Sequence, residues 1–283
     1  MPNSLDSVRL SFAAVTDVGR KRAVNEDSLL AESPVFIVAD GMGGHEAGDK
    51  ASAAVVNEFK ALTNRANVSI DDVTRAVEGA HRAVQGVAEF TTRGAGSTLT
   101  GVILVEHENT PQWLVVNIGD SRVYRMHATD LGQLTVDHSV VQQLVADGTL
   151  RPEEAATYVD RNVITRAVGS PDSPPDYWLH PVVTGERLLI CSDGLTGELG
   201  DETIRAGLTL GGSTQQTAEA LLAQALESGG RDNVTLIIVD VIAGGRRVDD
   251  EPSTASQYAV DTSTIDVRGN DTIEVPGKKG RRS

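Results

Sequence analysis

The stretch Val35-Phe36-Ile37-Val38-Ala39-Asp40-Gly41-Met42-Gly43-Gly44-His45-Glu46-Ala47-Gly48 changes character three times within fourteen residues. Five apolar residues, several of them β-branched, read as a buried strand. A carboxylate, Asp40, stands at its end, and four glycines follow before a helical pattern begins. Gly41, Gly43, Gly44 and Gly48 permit positive φ and close backbone approach, so Asp40 and the Gly41 carbonyl can face one ligand. A hard cation, which takes carboxylate, carbonyl and water oxygens, suits such a corner. Asp-Gly is also ordinary turn chemistry, and one copy leaves both readings open. The arrangement recurs, however: Arg187-Leu188-Leu189-Ile190-Cys191-Ser192-Asp193-Gly194 is again an apolar strand followed by Asp-Gly, and Gly119-Asp120 closes the strand Trp113 to Ile118.

The intervening chain supplies strands and amphipathic helices. Arg9 to Val15, ended by Thr16-Asp17-Val18-Gly19 as a turn, Thr98 to Val105 and Val234 to Val241 have strand character, and Val123 to Met126 reads as the hairpin partner of Trp113 to Ile118. Successive strands joined by short turns predict antiparallel pairing and an α+β fold, not a doubly wound sheet. Ala51, Val55, Phe59 and Leu62 share one helical face. A second helix starts at Ser69, with Asp72 completing a capping box, and carries the stripe Val73, Val77, Ala80, Val84 and Val87. Helices are also expected from Asp201 to Leu208 and from about Thr214 to Ser228. Residues 135–168 interrupt the strands with short helices opened by Ser139 and Pro152, a candidate flap over a site. Asp232 precedes its strand, which places it at the rim of Asp40 and Asp193 if that strand runs antiparallel to its neighbour. Between Gly19 and Leu29, Arg20-Lys21-Arg22-Ala23-Val24-Asn25-Glu26-Asp27-Ser28 reads either as a self-neutralising surface turn or as a carboxylate pair beside an anion-binding arginine.

Composition limits the function classes. The 283 residues are 40% hydrophobic, enough for a real core, and carry a formal charge of −15. Residues 244–283 hold seven basic and seven acidic residues, so the acidic excess belongs to residues 1–243, with 18 basic and 33 acidic. No basic stripe suits nucleic acid outside the extreme C-terminus. No long apolar run predicts a membrane span, and no basic-then-apolar start predicts a signal peptide. The single cysteine, Cys191, excludes an intramolecular disulfide framework, fits a cytoplasmic location and sits in a strand as a core residue. From Gly244 the composition predicts a disordered polar tail, in which Ser263-Thr264-Ile265-Asp266-Val267 and Asp271-Thr272-Ile273-Glu274-Val275 echo each other. The folded unit is therefore read as residues 1–243.

Glu26, Asp27, Asp40, Asp120, Asp193 and Asp232 form a candidate all-oxygen set, and no His or Cys cluster has zinc spacing. This favours Mg²⁺ or Mn²⁺. Two such ions can activate water for in-line attack on a phosphoryl group, with Arg22 gripping the phosphate oxygens. Thr16-Asp17-Val18-Gly19 with Arg22 and Asn25-Glu26-Asp27-Ser28, Val38-Ala39-Asp40-Gly41-Met42-Gly43-Gly44, Gly96-Ser97-Thr98, Ile118-Gly119-Asp120-Ser121-Arg122, Ser192-Asp193-Gly194 and Asp232-Asn233-Val234-Thr235 resemble, in order, the motifs of the PPM family in its bacterial branch. These are the type 2C metal-dependent serine/threonine protein phosphatases, and the resemblance covers about residues 9–242.

The resemblance implies a sandwich of two antiparallel sheets with helix pairs outside each. It implies two Mn²⁺ or Mg²⁺ ions: Asp40 bridging them, the Gly41 carbonyl on one, Asp193 and Asp232 on the other, Glu26 acting through water, and Asp120 with Asp193 forming a third site. Arg22 would grip phosphate and residues 138–168 would be the flap. The implied reaction is hydrolysis of phosphoserine and phosphothreonine in proteins by a metal-bridging water or hydroxide, on a monomer whose partners are phosphoproteins, a Ser/Thr kinase among them. Met42 stands where some members carry a histidine acid; methionine cannot donate a proton, which leaves His45 or, preferably, a metal-bound water as donor. Two other functions remain: a non-catalytic phosphoprotein-binding module, against which the intact Arg22, Asp40, Asp193 and Asp232 argue, and a small-molecule phosphoesterase.

Overall fold

A computed structural model describes residues 4–43, 47–63, 65, 67–92, 94–155, 157–210, 212–246, 263–265 and 272–274. The chain runs β1 (Arg9–Asp17), β2 (Asp27–Glu32), β3 (Val35–Gly43), α1 (Gly48–Thr63), α2 (Ile70–Ala88), β4 (Ala95–Ser97), β5 (Leu99–His107), β6 (Thr110–Ile118), β7 (Arg122–His127) and β8 (Asp130–Gln133). It continues with α3 (Val140–Ala146), α4 (Pro152–Ala155), β9 (Asp176–Pro181), β10 (Arg187–Cys191), α5 (Asp193–Thr196), α6 (Asp201–Leu210), α7 (Thr214–Ser228), β11 (Val234–Ala243), β12 (Ser263–Ile265) and β13 (Thr272–Glu274). One sheet has the order β1-β11-β10-β7-β8; the other has β13-β12-β9-β6-β5-β3-β2, with β4 added to β3. The strand pairs are antiparallel, as the short connections predict.

The unbroken apolar run of β3 follows from burial on both of its faces. Phe36 and Val38 enter the layer between the sheets with Leu188, Ile190, Ile237 and Val239. Ile37 and Ala39 pack beneath Val55 and Phe59 of α1 and Val73 and Val77 of α2. On the other outer face, Leu189, Cys191 and Ile238 meet Ile204 and Leu208 of α6 and Leu221 of α7. Each fully buried side chain of this size contributes about 1.5–3 kcal/mol. The result is an α+β sandwich of two antiparallel sheets flanked by helices. The helix patterns hold: the Ser69–Asp72 capping box closes in both directions, and Thr214–Ser228 is one helix. Cys191 is fully buried, its thiol pushed up to about 12 chiefly by burial, as befits a core residue.

Three expectations need correction. β7 is not the hairpin partner of β6; β6 pairs with β5 and β9 in one sheet, whereas β7 pairs with β8 and β10 in the other. Gly119, at φ +109°, turns the chain across the sandwich rim, and buried Ser121 bonds to Thr98 rather than closing a hairpin. Thr16-Asp17 ends β1 instead of forming a turn; the turn comes at Gly19, whose N–H donates to Asp17 Oδ1. Finally, Gly41, Gly43 and Gly48 are absent from the glycines at positive φ, so their use is close approach. The expected disorder of residues 244–283 falls mostly outside the described residues. Of those described, Gly244 to Arg246 run on from β11, and the two echoing segments coincide with β12 and β13, which pair with each other and, through Thr264 and Trp178, with β9. Among the described residues no helix is long and apolar enough to cross a membrane.

Candidate metal centre

Antiparallel geometry gathers the carboxylates at one end of the sandwich. Asp27 and Asp40 are direct partners in the β2–β3 ladder. Cys191 pairs with Leu236, so Asp193, just past the end of β10, and Asp232, just before β11, meet at the same rim. Asp120 reaches it from the corner between the sheets. Arg20 to Val24 do form an exposed turn, but the segment is tied down around Glu26: Asn233 accepts from the Glu26 amide through Oδ1 (2.8 Å) and donates from Nδ2 to the Val18 (3.0 Å) and Val24 (2.9 Å) carbonyls. The Glu26 carbonyl accepts from Gly41 N–H (3.0 Å) and Ser52 Oγ (2.6 Å).

Asp40 is fixed through its backbone. Its N–H donates to Thr98 Oγ1 (2.9 Å), while its carbonyl accepts from the Thr98 amide (2.8 Å) and Ser97 Oγ (3.1 Å). Thr98 also bonds Ser121 next to Asp120 (2.9 Å), and Ser192 Oγ donates to Asp27 Oδ2 (2.8 Å). Both Asp-Gly glycines are sterically required: a Cβ on Gly41 would overlap the carbonyl oxygen of Gly48, and one on Gly194 would overlap that of Asn233.

The electrostatics are those of like charges confined together. Burial first, then Asp27, Asp193, Asp120 and Asp232, hold the Asp40 carboxyl well above its ordinary range. Burial and Asp193 push Asp120 up to about 7. Burial also raises Asp27 to about 6, with Asp193 and Asp232 adding to it against hydrogen bonds from Thr235 and Ser192. Asp193 is raised by burial and by Asp232. Asp27 Oδ1 and Asp193 Oδ1 are buried without a hydrogen-bond partner. Oxygens so placed fit a divalent cation, which would supply the missing partner and neutralise the repulsion. Among the described residues no three acidic or imidazole side chains are already drawn in as a closed cage. Arg22 also engages two of these carboxylates: its Nη2 donates to Asp232 Oδ2 (2.7 Å) and its Nη1 lies 3.9 Å from Glu26 Oε2.

All seven residues singled out from the sequence, Arg22, Glu26, Asp40, Gly41, Asp120, Asp193 and Asp232, thus come to this rim. Arg22 is about half exposed (48%). His45 lies outside the described residues. Sequence reasoning assigned no role to Thr98, Ser192 or Asn233, although each adjoins a motif carboxylate or strand end; a polar residue buried at a strand terminus was the available signal.

Comparison with known proteins bears on the fold and the family. The family model described as protein phosphatase 2C matches residues 19–228. The serine/threonine protein phosphatase PstP of Mycobacterium tuberculosis is 37% identical over 238 residues, covering 82% of this chain and 45% of that protein, so the chain spans under half of that relative's length. PhpP, a protein phosphatase of Streptococcus pneumoniae, is 33% identical over 246 residues, 82% of this chain and 98% of that protein. Among solved structures, M. tuberculosis PstP superposes with a TM-score of 0.77 at 35% identity, covering 83% of this chain and 99% of that one. The catalytic domain of PstP in complex with two manganese ions gives a TM-score of 0.76 at 34% identity, covering 83% and 100%.

Proposed function

The chain belongs to the protein phosphatase 2C family, and from that premise we propose that it is a metal-dependent phosphatase of phosphoserine and phosphothreonine in proteins. The observation that carries this reading is the convergence of half-buried Asp27, Asp40, Asp120 and Asp193 beside Arg22, with Asp27 Oδ1 and Asp193 Oδ1 left without a hydrogen-bond partner. Asp40, the Gly41 carbonyl, Asp193 and Asp232 would hold two Mn²⁺ or Mg²⁺ ions, with Glu26 acting through water and Asp120 with Asp193 offering a third position. Bound there, divalent ions supply charge neutralisation and acidify a water for attack on phosphorus.

The protein's own part is preorganisation. Thr98 and Ser97 lock the Asp40 backbone, Asn233 fastens the Glu26 loop, and the guanidinium of Arg22, once it exchanges Asp232 for substrate, orients two phosphoryl oxygens through its planar fork. Met42, paired with Gly96 in the β3–β4 ladder, offers no acidic proton, so the leaving alkoxide takes its proton from water. Residues 1–243 form the catalytic unit. A cytoplasmic, monomeric protein opposing a Ser/Thr kinase in signalling fits the single buried cysteine and the phosphoprotein substrate. The test is hydrolysis of a phosphothreonine peptide with Mn²⁺, with EDTA and with Asp40→Ala. Activity requiring both metal and Asp40 is expected; a folded, Mn²⁺-loaded protein with no turnover would replace this reading by a phosphoprotein-binding one.

A further inference from the structure

Three consecutive cations, Arg20, Lys21 and Arg22, stand on the turn between β1 and β2, and the first two have no task in the site described above. The turn is clamped at both ends by the stretch that carries Asp232. Asn233 Nδ2 donates to the carbonyls of Val18 (3.0 Å) and Val24 (2.9 Å), and the Arg20 N–H donates to the Gly230 carbonyl (2.6 Å). Gly19, at φ +78°, lies so close to the Asp232 backbone carbonyl that a Cβ there would overlap it. The Arg20 stem runs past Gly230, its Cγ 2.9 Å from where a Cβ on that glycine would stand. The backbone of residues 18–24 is thus fixed against one side of the carboxylate rim, while Arg20 to Val24 face solvent.

In a chain of formal charge −15, arginines readily find carboxylates: Arg122 holds Asp137, Arg125 holds Glu186, Arg187 holds Asp240 and Arg231 holds Glu198. Arg22 itself reaches Asp232. Arg20 and Lys21 are exposed and, among the described residues, neither has an ion-pair partner. Two residues span at most about 7 Å of backbone, so both charged heads lie within reach of a peptide whose phosphate is held at Arg22.

We propose that Arg20 and Lys21 are specificity-determining residues, selecting phosphoproteins with acidic side chains within about three positions of the phosphorylated serine or threonine. The inference rests on the reading of Arg22 as the phosphate grip given above. A turn already fixed in place meets such carboxylates without having to order its backbone, and pairs between exposed groups contribute about 1.4- to 5-fold each. Two of them together give about fivefold in kcat/KM, an advantage that salt weakens because exposed charges are screened.

The test compares phosphothreonine peptides of one length, flanked on both sides by glutamate, by glutamine or by lysine, in the presence of Mn²⁺, with p-nitrophenyl phosphate as a substrate that has no flanks. Wild-type protein should hydrolyse the glutamate peptide with a kcat/KM about fivefold above that for the glutamine peptide, chiefly through KM, and about 0.5 M NaCl should bring the ratio below about twofold. Arg20→Ser combined with Lys21→Ser should bring it below about twofold at low salt, and Arg20→Glu combined with Lys21→Glu should favour the lysine peptide. Turnover of p-nitrophenyl phosphate within about twofold of wild type shows that these variants are folded, and the salt series on the wild type needs no variant. Equal rates on the glutamate and glutamine peptides, a wild-type preference for lysine, or an undiminished preference in the double serine variant would overturn the proposal alone. Equal rates are the result expected if the two cations merely offset the rim aspartates. A wild type that hydrolyses no phosphopeptide would overturn the reading as a phosphatase of proteins, and the proposal with it.

Discussion

Stripping the metal should make this protein less stable as pH rises, the reverse of ordinary acid denaturation. Asp27 and Asp120 have folded-state pKa values raised from 3.8 to about 6 and about 7. A carboxyl raised on folding binds its proton more tightly in the native state. The folded protein then carries more protons than the unfolded chain between the two pKa values, and stability falls with pH through that window. The contribution is fully present below about pH 4 and is lost as pH passes about 6 for Asp27 and about 7 for Asp120. At ~1.36 kcal/mol per pH unit the losses are about 3 and about 4 kcal/mol. About 4 kcal/mol of this falls above pH 5, and for a domain of this size 1 kcal/mol moves the melting temperature by roughly 2–4 °C, so EDTA-treated protein should melt roughly 8–16 °C lower at pH 8 than at pH 5. Two divalent ions at a hundred times their Kd restore about 2.7 kcal/mol each, of the same order as the loss, so saturating Mn²⁺ should flatten the curve. Differential scanning calorimetry across pH 4.5–8.5, with and without Mn²⁺, reads this directly. Asp27→Asn should remove about 3 kcal/mol of the decline in the metal-free protein. A metal-free melting temperature that is level or rises over that range would refute the view that the rim stores repulsion for a cation to relieve.

Two further outcomes follow from named contacts. Arg22→Ala should lower kcat/KM for a phosphopeptide at least tenfold while leaving Mn²⁺ affinity near wild type, and Arg22→Lys should recover little of it, because an ammonium cannot span two phosphate oxygens; steady-state kinetics checks both. At the opposite end of the sheet, buried Glu186 accepts from Trp113 Nε1 (2.9 Å), Val183 N–H (2.9 Å) and Arg125 Nε (2.6 Å). Glu186→Ala strands those donors and should cost about 3–5 kcal/mol in denaturant unfolding, with turnover per folded molecule unchanged.

What was legible in the sequence was what local physics dictates. The runs before Asp40 and Asp193 read as strands because both faces of each are buried, so no polar residue interrupts them. Asp232 could be assigned to the same rim because reversing a strand exchanges its ends. The β6–β7 connection misled because Gly-Asp-Ser suits a hairpin as well as a crossing. What decides between them is distant: Tyr124 bonds Asp201, and Ser121 bonds Thr98. Thr98 and Asn233 stood inside the family motifs, but their roles were not legible for the same reason, since their partners lie on strands and loops far along the chain. Their common task explains why they are needed. Five aspartates that repel one another cannot hold their own geometry, so the site is held from behind, through backbone groups of Glu26 and Asp40 that Asn233, Thr98 and Ser97 grip. A charge set against its neighbours but fixed through the main chain is poised for a cation.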